Sequence, residues 1–590
     1  MRYFIGFFAA LGVLAVLIVT AGGVGVYWFV GNFSDPPSLP GSIVLKARLS
    51  GPVAEVSDTS PLGELFPARR RLSLLDMVST IDTSVVDSRV QGLVMDLSAS
   101  RLDLAEAQEL RAAILRFRAA GKFTHVFTDT FEGPSAAATY FLATAFEIVS
   151  LQPSGLLDVR GVSLTTPLMR RLLDEQGVRA EIHTRHEFKS AAVPLTKEVL
   201  PEPVRENYQR VVTSMYEQLV TGIANARGLS PSEVRKMIDA TPLVARAARR
   251  DNLVDTLAYW DQMTTMAEAH APTARLVDWR RYSDARALDT PEKPDTRIAV
   301  ISVEGEIIRG RGNSLQDRDK AAAGRLISAI RAADDDPSVK AILLRIDSPG
   351  GSYTASDSIL RTLDQVRAGG LPVVVSMGSL AASGGYFITL AADHIVAHPA
   401  SITGSIGVLG GKVSFGELLS RHGVDSAEVS AGANATMYSP LHPFNERQRE
   451  RLAVILDEIY ADFTTKVAQR RRLTLSELDA AARGRIWTGE DALRLGLVDA
   501  LGGFDEAVSL ARKFAKLEPG EPATLTIFPR RSSLLDEVLD AIEGGDLTSL
   551  ALGLRDLTRL IGYAVQATRV IPNPAMSEGI MLRAPHIFVR

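Results

Sequence analysis

The segment GPSAAATYFLATAFEIVSLQPSG, residues 133–155, returns as GSLAASGGYFITLAADHIVAHPASITG, residues 378–404. Tyr140 falls on Tyr386 and Pro153 on Pro399, both 246 residues apart. Downstream, Tyr216 meets Tyr460, the capping box Ser230-x-x-Glu233 meets Thr474-x-x-Glu477, and Asp255 of NLVD meets Asp499 of GLVD, each at a spacing of 244. Upstream, VQGLVMDL from Val90 matches VKAILLRID from Val339. A spacing that drifts so little over so long a stretch implies two tandem copies of one folding unit. The copies are predicted to cover residues 42–285 and 296–528, and residues 529–590 have no counterpart in the first copy and no role that the sequence assigns.

Each copy alternates short β-branched runs with longer helical patterns. In the second, residues 298–303, 341–346 and 372–376 read as strands, 353–368 and 381–392 as helices, and 394–397 as a further short strand. That alternation predicts an α/β fold in which a mainly parallel sheet carries helices on its faces.

Two runs in the second copy carry candidate chemistry. Asp347-Ser348-Pro349-Gly350-Gly351 follows an apolar strand and precedes a helix, and its two glycines would let backbone N–H groups approach a ligand closely. By composition alone an ordinary strand-to-helix turn is the favoured reading. In Ser376-Met377-Gly378-Ser379-Leu380-Ala381-Ala382-Ser383-Gly384-Gly385, small residues flank Ser383 at a strand-to-helix transition. They would leave its hydroxyl accessible, with the Gly384 N–H beside it to stabilise an oxyanion. A Ser-Gly-Gly packing joint is the competing reading. The duplication favours chemistry: Ala137 stands where Ser383 would be in the first copy, and Ser98-Ala99-Ser100 has no paired glycines, whereas a residue needed for folding should be needed twice.

A serine nucleophile needs a base. His394 and His398 are nearest in sequence, but both flank an apolar strand and read as structural. A lysine can serve where burial keeps it neutral. Lys189, in Glu187-Phe188-Lys189-Ser190, is a candidate that by itself reads as a surface residue.

The N-terminus sets the compartment. From Tyr3 to Ser34 no residue is charged. As a helix, residues 4–30 would span roughly 40 Å, more than the ~30 Å hydrocarbon core. A single-pass anchor over residues 1–34 is therefore expected rather than a cleaved signal, whose apolar region runs to roughly 7–15 residues. Arg2 and the α-amino group keep the short N-terminus in the cytoplasm and send the rest across, with residues 35–41, DPPSLPG, as a stiff linker. Lys and Arg number 65 against 69 Asp and Glu, a net charge of -4, so nucleic acid is not an expected partner. The absence of cysteine removes disulfide frameworks, Cys-based zinc sites and a thiol nucleophile.

Together SMGSLAASGGYF, DSPGG, TGSIGV and EFKSAAVP resemble the signal peptide peptidase A family, also called protease IV, in its long, duplicated, membrane-anchored bacterial form. The resemblance covers roughly residues 42–504. It implies two tandem crotonase-like domains of the ClpP/crotonase superfamily and a Ser/Lys dyad that needs no cofactor or metal. By the same resemblance Ser383 is the nucleophile, Lys189 the general base, and Ser405 of TGSIG orients the lysine. Gly384 and either Gly350 or Gly351 would form the oxyanion hole. It further implies a homotetramer on the extracytoplasmic, periplasmic face of an inner membrane, acting on released signal peptides. The rival readings are an acyl-CoA enzyme of the same superfamily, a non-catalytic membrane scaffold, and an exported Ser/Lys amidase or esterase.

Overall fold

In the computed structural model the described residues are 39–55, 72–289, 295–312, 317, 319–518, 520–529 and 581–583. The expected anchor over residues 1–34 and most of the expected linker lie outside them. Among the described residues no helix is long and apolar enough to cross a membrane.

The first copy builds a six-stranded sheet in the order Thr256–Leu257, Ile148–Leu151, Phe123–Thr128, Val90–Arg101, Ile43–Pro52, Arg275–Asp278, with every neighbour parallel. The second copy repeats that row strand for strand as Ala500–Leu501, His394–Ala397, Val373–Ala382, Val339–Ser348, Arg297–Glu304, Thr524–Phe528, again parallel throughout. Parallel strands need crossover helices on both faces, so their residues are buried on both sides and read as unbroken apolar runs. In the second copy Ala299, Ile301 and Val303 pack with helices Ala323–Asp334 and Tyr353–Ala368, while Ile298 and Val300 face helix Phe504–Phe514.

The repeated polar residues explain their own spacing. Tyr140 donates its hydroxyl to the Leu253 carbonyl at 2.7 Å, and Tyr386 does the same to Leu497 at 2.9 Å. Asp255 accepts the Val149 N–H and pairs with Arg227, and Asp499 accepts the Ile395 N–H and pairs with Arg471. In each copy a loop carboxylate caps the start of a strand, so the same residues are required twice.

One element departs from expectation. Strand Val373–Ala382 runs well past residue 376, and the next helix, Gly384–Thr389, starts at 384 rather than 381. The alanines are held extended because Leu380–Ala382 pairs with Ile402–Gly404, a partner that helix propensity cannot anticipate. Ser383 therefore sits at a junction, as the N-cap residue of the short helix.

Two of the contacts that lock the copies together frame the site. Strand Arg179–Thr184 of the first pairs antiparallel with Leu409–Ser414 of the second. Beneath, Arg345 of the second copy lies between Glu55 at 2.9 Å and Glu109 at 3.2 Å from the first, and His398 Nε2 meets Glu109 at 2.6 Å. All four side chains are buried.

Candidate active site

Segment 179–189 leaves the first copy and crosses onto the second. Its strand is fixed by the pairing with Leu409–Ser414, and the chain beyond it is clamped: the Arg185 N–H donates to the Val408 carbonyl, Glu187 pairs with Arg483, and the Arg485 guanidinium stacks on Phe188. Gly484, at φ +87°, then allows the backbone contact that buries Lys189, since a Cβ there would stand 2.5 Å from the Lys189 nitrogen. Gly407 does the same for the side chain, where a Cβ would meet Lys189 Cδ at 3.1 Å.

Lys189 is thus 2% exposed, and Ser383 and Ser405 are fully buried. Lys189 Nζ lies 2.7 Å from Ser383 Oγ, 2.9 Å from the Ser405 carbonyl and 3.0 Å from Ser405 Oγ. Burial pushes its pKa well below the ordinary 10.5, and no carboxylate offsets the shift. A neutral amine has two N–H donors and one lone pair, and three partners are present. Donating to the two Ser405 oxygens leaves the lone pair for the Ser383 hydroxyl.

Ser383 has φ 58° and ψ -113°, an uncommon backbone state for a residue with a side chain. Such a junction presents the hydroxyl at the end of a strand while the following amides open a helix. The Gly384 N–H is among the first amides of that helix, which have no intrahelical acceptor. The two turn glycines differ. Gly350 donates its N–H to Ser348 Oγ at 3.2 Å, and Ser348 donates in turn to the Gly305 carbonyl at 2.6 Å. The Gly351 nitrogen stands 3.1 Å from where a Gly384 Cβ would be, so its amide lies against Gly384.

All six residues singled out from the sequence, Ser383, Lys189, Ser405, Gly384, Gly350 and Gly351, come together in this one place. His398 does not belong to it and serves the contact with Glu109. Ser348, Gly407 and Gly484 were not singled out; their signal is positional, because each packs against a residue from a distant part of the chain or a turn neighbour. In the first copy the matching junction holds Ala137 and offers no hydroxyl at that position.

Comparison with known proteins agrees with this geometry. Residues 127–273 and 365–518 match peptidase family S49, one stretch in each copy, and residues 307–402 match the Clp protease family. The chain is 31% identical to Protease 4 of Salmonella typhi, over 95% of this chain and 90% of that protein. It is 30% identical to Protease 4 of Haemophilus influenzae, over 76% of this chain and 74% of the relative. The chloroplastic serine protease SPPA of Arabidopsis thaliana is 26% identical over 80% of this chain and 70% of its own length. With the α/β repeat, the paired family matches and relatives that align over most of the chain in agreement, the chain belongs to peptidase family S49 and is a serine protease built from two Clp/crotonase-like domains.

Proposed function

We propose that this protein is a membrane-anchored endopeptidase that degrades released signal peptides on the extracytoplasmic face of an inner membrane, working as a homotetramer through Ser383 and Lys189. The observation that carries the catalytic part of this reading is the enclosed 2.7 Å contact between Lys189 Nζ and Ser383 Oγ. The uncharged stretch from Tyr3 to Ser34 and the motif resemblance support the location, substrate and assembly.

In the reaction, neutral Lys189 takes the Ser383 proton as Oγ attacks the peptide carbonyl carbon. The Gly384 and Gly351 amides hold the oxyanion, Gly350 being engaged by Ser348. Lys189 returns the proton to the leaving amine, the C–N bond breaks, and an acyl ester on Ser383 remains. Lys189 then takes a proton from water as its oxygen attacks the ester carbonyl, and passes that proton to Ser383 Oγ as the acyl C–O bond breaks, which releases the carboxylic product and restores the serine hydroxyl and the neutral amine. Ser405 keeps the amine aimed throughout.

The test is hydrolysis of a synthetic leucine-rich signal peptide by the full chain in detergent micelles, against a hydrophilic peptide of equal length. Preferential cleavage of the apolar peptide is expected, and equal rates on both would remove the signal-peptide assignment. Activity should rise with pH as the lysine, its pKa depressed by burial, loses its proton. A flat profile from about pH 5 to about pH 9 would sink the lysine base. Asp347, whose carboxyl burial and then Glu55 push up to about 7, titrates in the same range. In Asp347→Asn the rise should therefore persist.

Gly384→Ala tests the oxyanion hole. Its Cβ would stand 2.8 Å from Ser356 Oγ and 3.2 Å from Gly350 Cα, forcing the turn and helix apart. Steady-state kinetics should show kcat reduced by about 10²-fold or more, with KM little changed.

A further inference from the structure

The first copy has its own version of the active-site cleft. Helices Leu104–Ala119 and Tyr353–Ala368 start and end 249 residues apart, so Arg101-Leu102 stands where the second copy has Gly350-Gly351. Ala137-Ala138 stands where it has Ser383-Gly384. These two stretches line a cavity of about 460 Å³, a size within the roughly 300–1,000 Å³ of ordinary ligand pockets. Met215 and Leu219, on helix Glu202–Arg227, add apolar lining, and the second copy contributes Leu380 and Ile402, which pair across adjacent strands. Ala137 brings no hydroxyl, Arg101-Leu102 does not repeat the paired glycines, and among the described residues no lysine lines the cavity. It has the place of an active site without the chemistry of one.

The lining also holds three carboxyls, Asp103, Glu106 and Asp347, against one basic residue, the exposed Arg101. Asp347 accepts the Leu380 N–H at 2.8 Å through one oxygen, and its other oxygen has no partner among the described residues. Glu106 accepts the Asp103 N–H at 2.8 Å. The three oppose one another's ionisation: burial and then Asp103 push the Glu106 carboxyl up to about 10, and Asp347 adds to the shift. Carboxyls crowded in this way gain from a cation brought among them.

We propose that this cavity is a second, non-catalytic peptide site, which takes a lysine or arginine head at its carboxyls and the apolar residues that follow it against Met215, Leu219, Leu380 and Ile402. The inference rests on the signal-peptide reading and deepens it. A signal peptide carries its positive charges ahead of an apolar run of roughly 7–15 residues, which is the order of chemistry that the cavity offers. Leu380 precedes Ser383 by three residues of extended chain, roughly 10 Å at ~3.3 Å per residue. A peptide held by its basic end therefore keeps its apolar run within reach of the nucleophile.

The test is photo-crosslinking of the Ser383→Ala full chain in lipid nanodiscs, so that nothing is cleaved and no detergent fills the cavity. The probe is an acetylated, amidated peptide of one lysine, one leucine and one photo-leucine, and its adducts are mapped by mass spectrometry. Adducts are expected in segments 101–106 and 215–219. Ala137→Leu, which fills the cavity from a half-buried position, should lower their yield on the order of tenfold. Asp347→Asn should lower it by about threefold or more for the lysine-headed probe and leave a norleucine-headed probe within about twofold. The comparison of head groups is also made on the protein without either change, so it does not depend on a variant folding. Equal labelling of the cavity by a glutamate-headed probe, or adducts no more frequent there than elsewhere on the chain, would overturn the proposal. Adducts confined to the Gly350-Gly351 turn would remove the second site and leave the signal-peptide reading standing. If the cavity is labelled as expected while the wild-type protein cleaves apolar and hydrophilic peptides at equal rates, the second site stands and the signal-peptide reading falls.

Discussion

Lys189→Met should abolish peptide hydrolysis, with kcat/KM lower by at least about 10³-fold. Methionine fills nearly the same volume and needs no hydration, so the fold should tolerate it. Indeed a buried titratable amine is costly, and thermal unfolding of the variant is expected at or above the wild-type temperature. Lys189→Arg should be equally inactive, because a guanidinium does not become neutral and cannot accept the Ser383 proton. Ser383→Ala should lose as much, and the double variant no more, since two groups sharing one proton act as a unit. Ser405→Ala removes one of the two Ser405 oxygens that orient the amine and leaves the carbonyl, so a smaller loss is expected. The assay is steady-state hydrolysis of the leucine-rich peptide, with melting temperature and oligomer mass measured on each protein. Activity of Lys189→Met within about tenfold of wild type would remove the lysine from the mechanism.

The same residues show what a sequence can and cannot disclose. Tyr140, Asp255 and their counterparts Tyr386 and Asp499 stand out because each copy needs them for the same bonds within itself, so the duplication is written into their spacing. Ser383 stands out because the first copy has Ala137 at the matching position. Lys189 carries no such mark. Nothing in EFKSAAVP says that its amine is buried, since burial comes from pairing with Leu409–Ser414 and from glycines at 407 and 484, far along the chain. Only the motif resemblance identified it. The early end assigned to strand Val373–Ala382 has the same origin: three alanine- and leucine-type residues are kept extended by Ile402–Gly404, and that tertiary pairing overrides helix propensity. That Ser348 engages the Gly350 amide is likewise illegible, because it depends on how the turn folds.

Arg345→Met is the substitution expected to cost most in stability. Arg345 is 1% exposed and bonds Glu55, Glu109 and Ser376, so its removal leaves carboxylates of the other copy buried beside an apolar chain. Breaking a buried pair from one side typically costs about 3–5 kcal/mol, and urea unfolding at neutral pH should show a loss of that size. Adding Glu55→Gln should recover part of it, because a neutral amide has no charge to desolvate. The pH dependence separates this cause from simple loss of packing. Burial already raises the Glu55 pKa, with Arg345 as the chief group pulling it down. Without the arginine the folded-state pKa rises further above its unfolded value, so the folded variant binds more protons than the unfolded chain. Its stability then increases as pH falls towards the acidic range, and the deficit against wild type shrinks there. A deficit that stays constant with pH would mean that packing, not charge, is what the arginine supplies. The effect should reach the active site, because Arg345 lies on strand Val339–Ser348, which runs into the Gly350–Gly351 turn, and Ser376 lies on the strand that ends at Ser383. A loosened seam between the copies would draw Lys189, carried by one, away from Ser383, carried by the other.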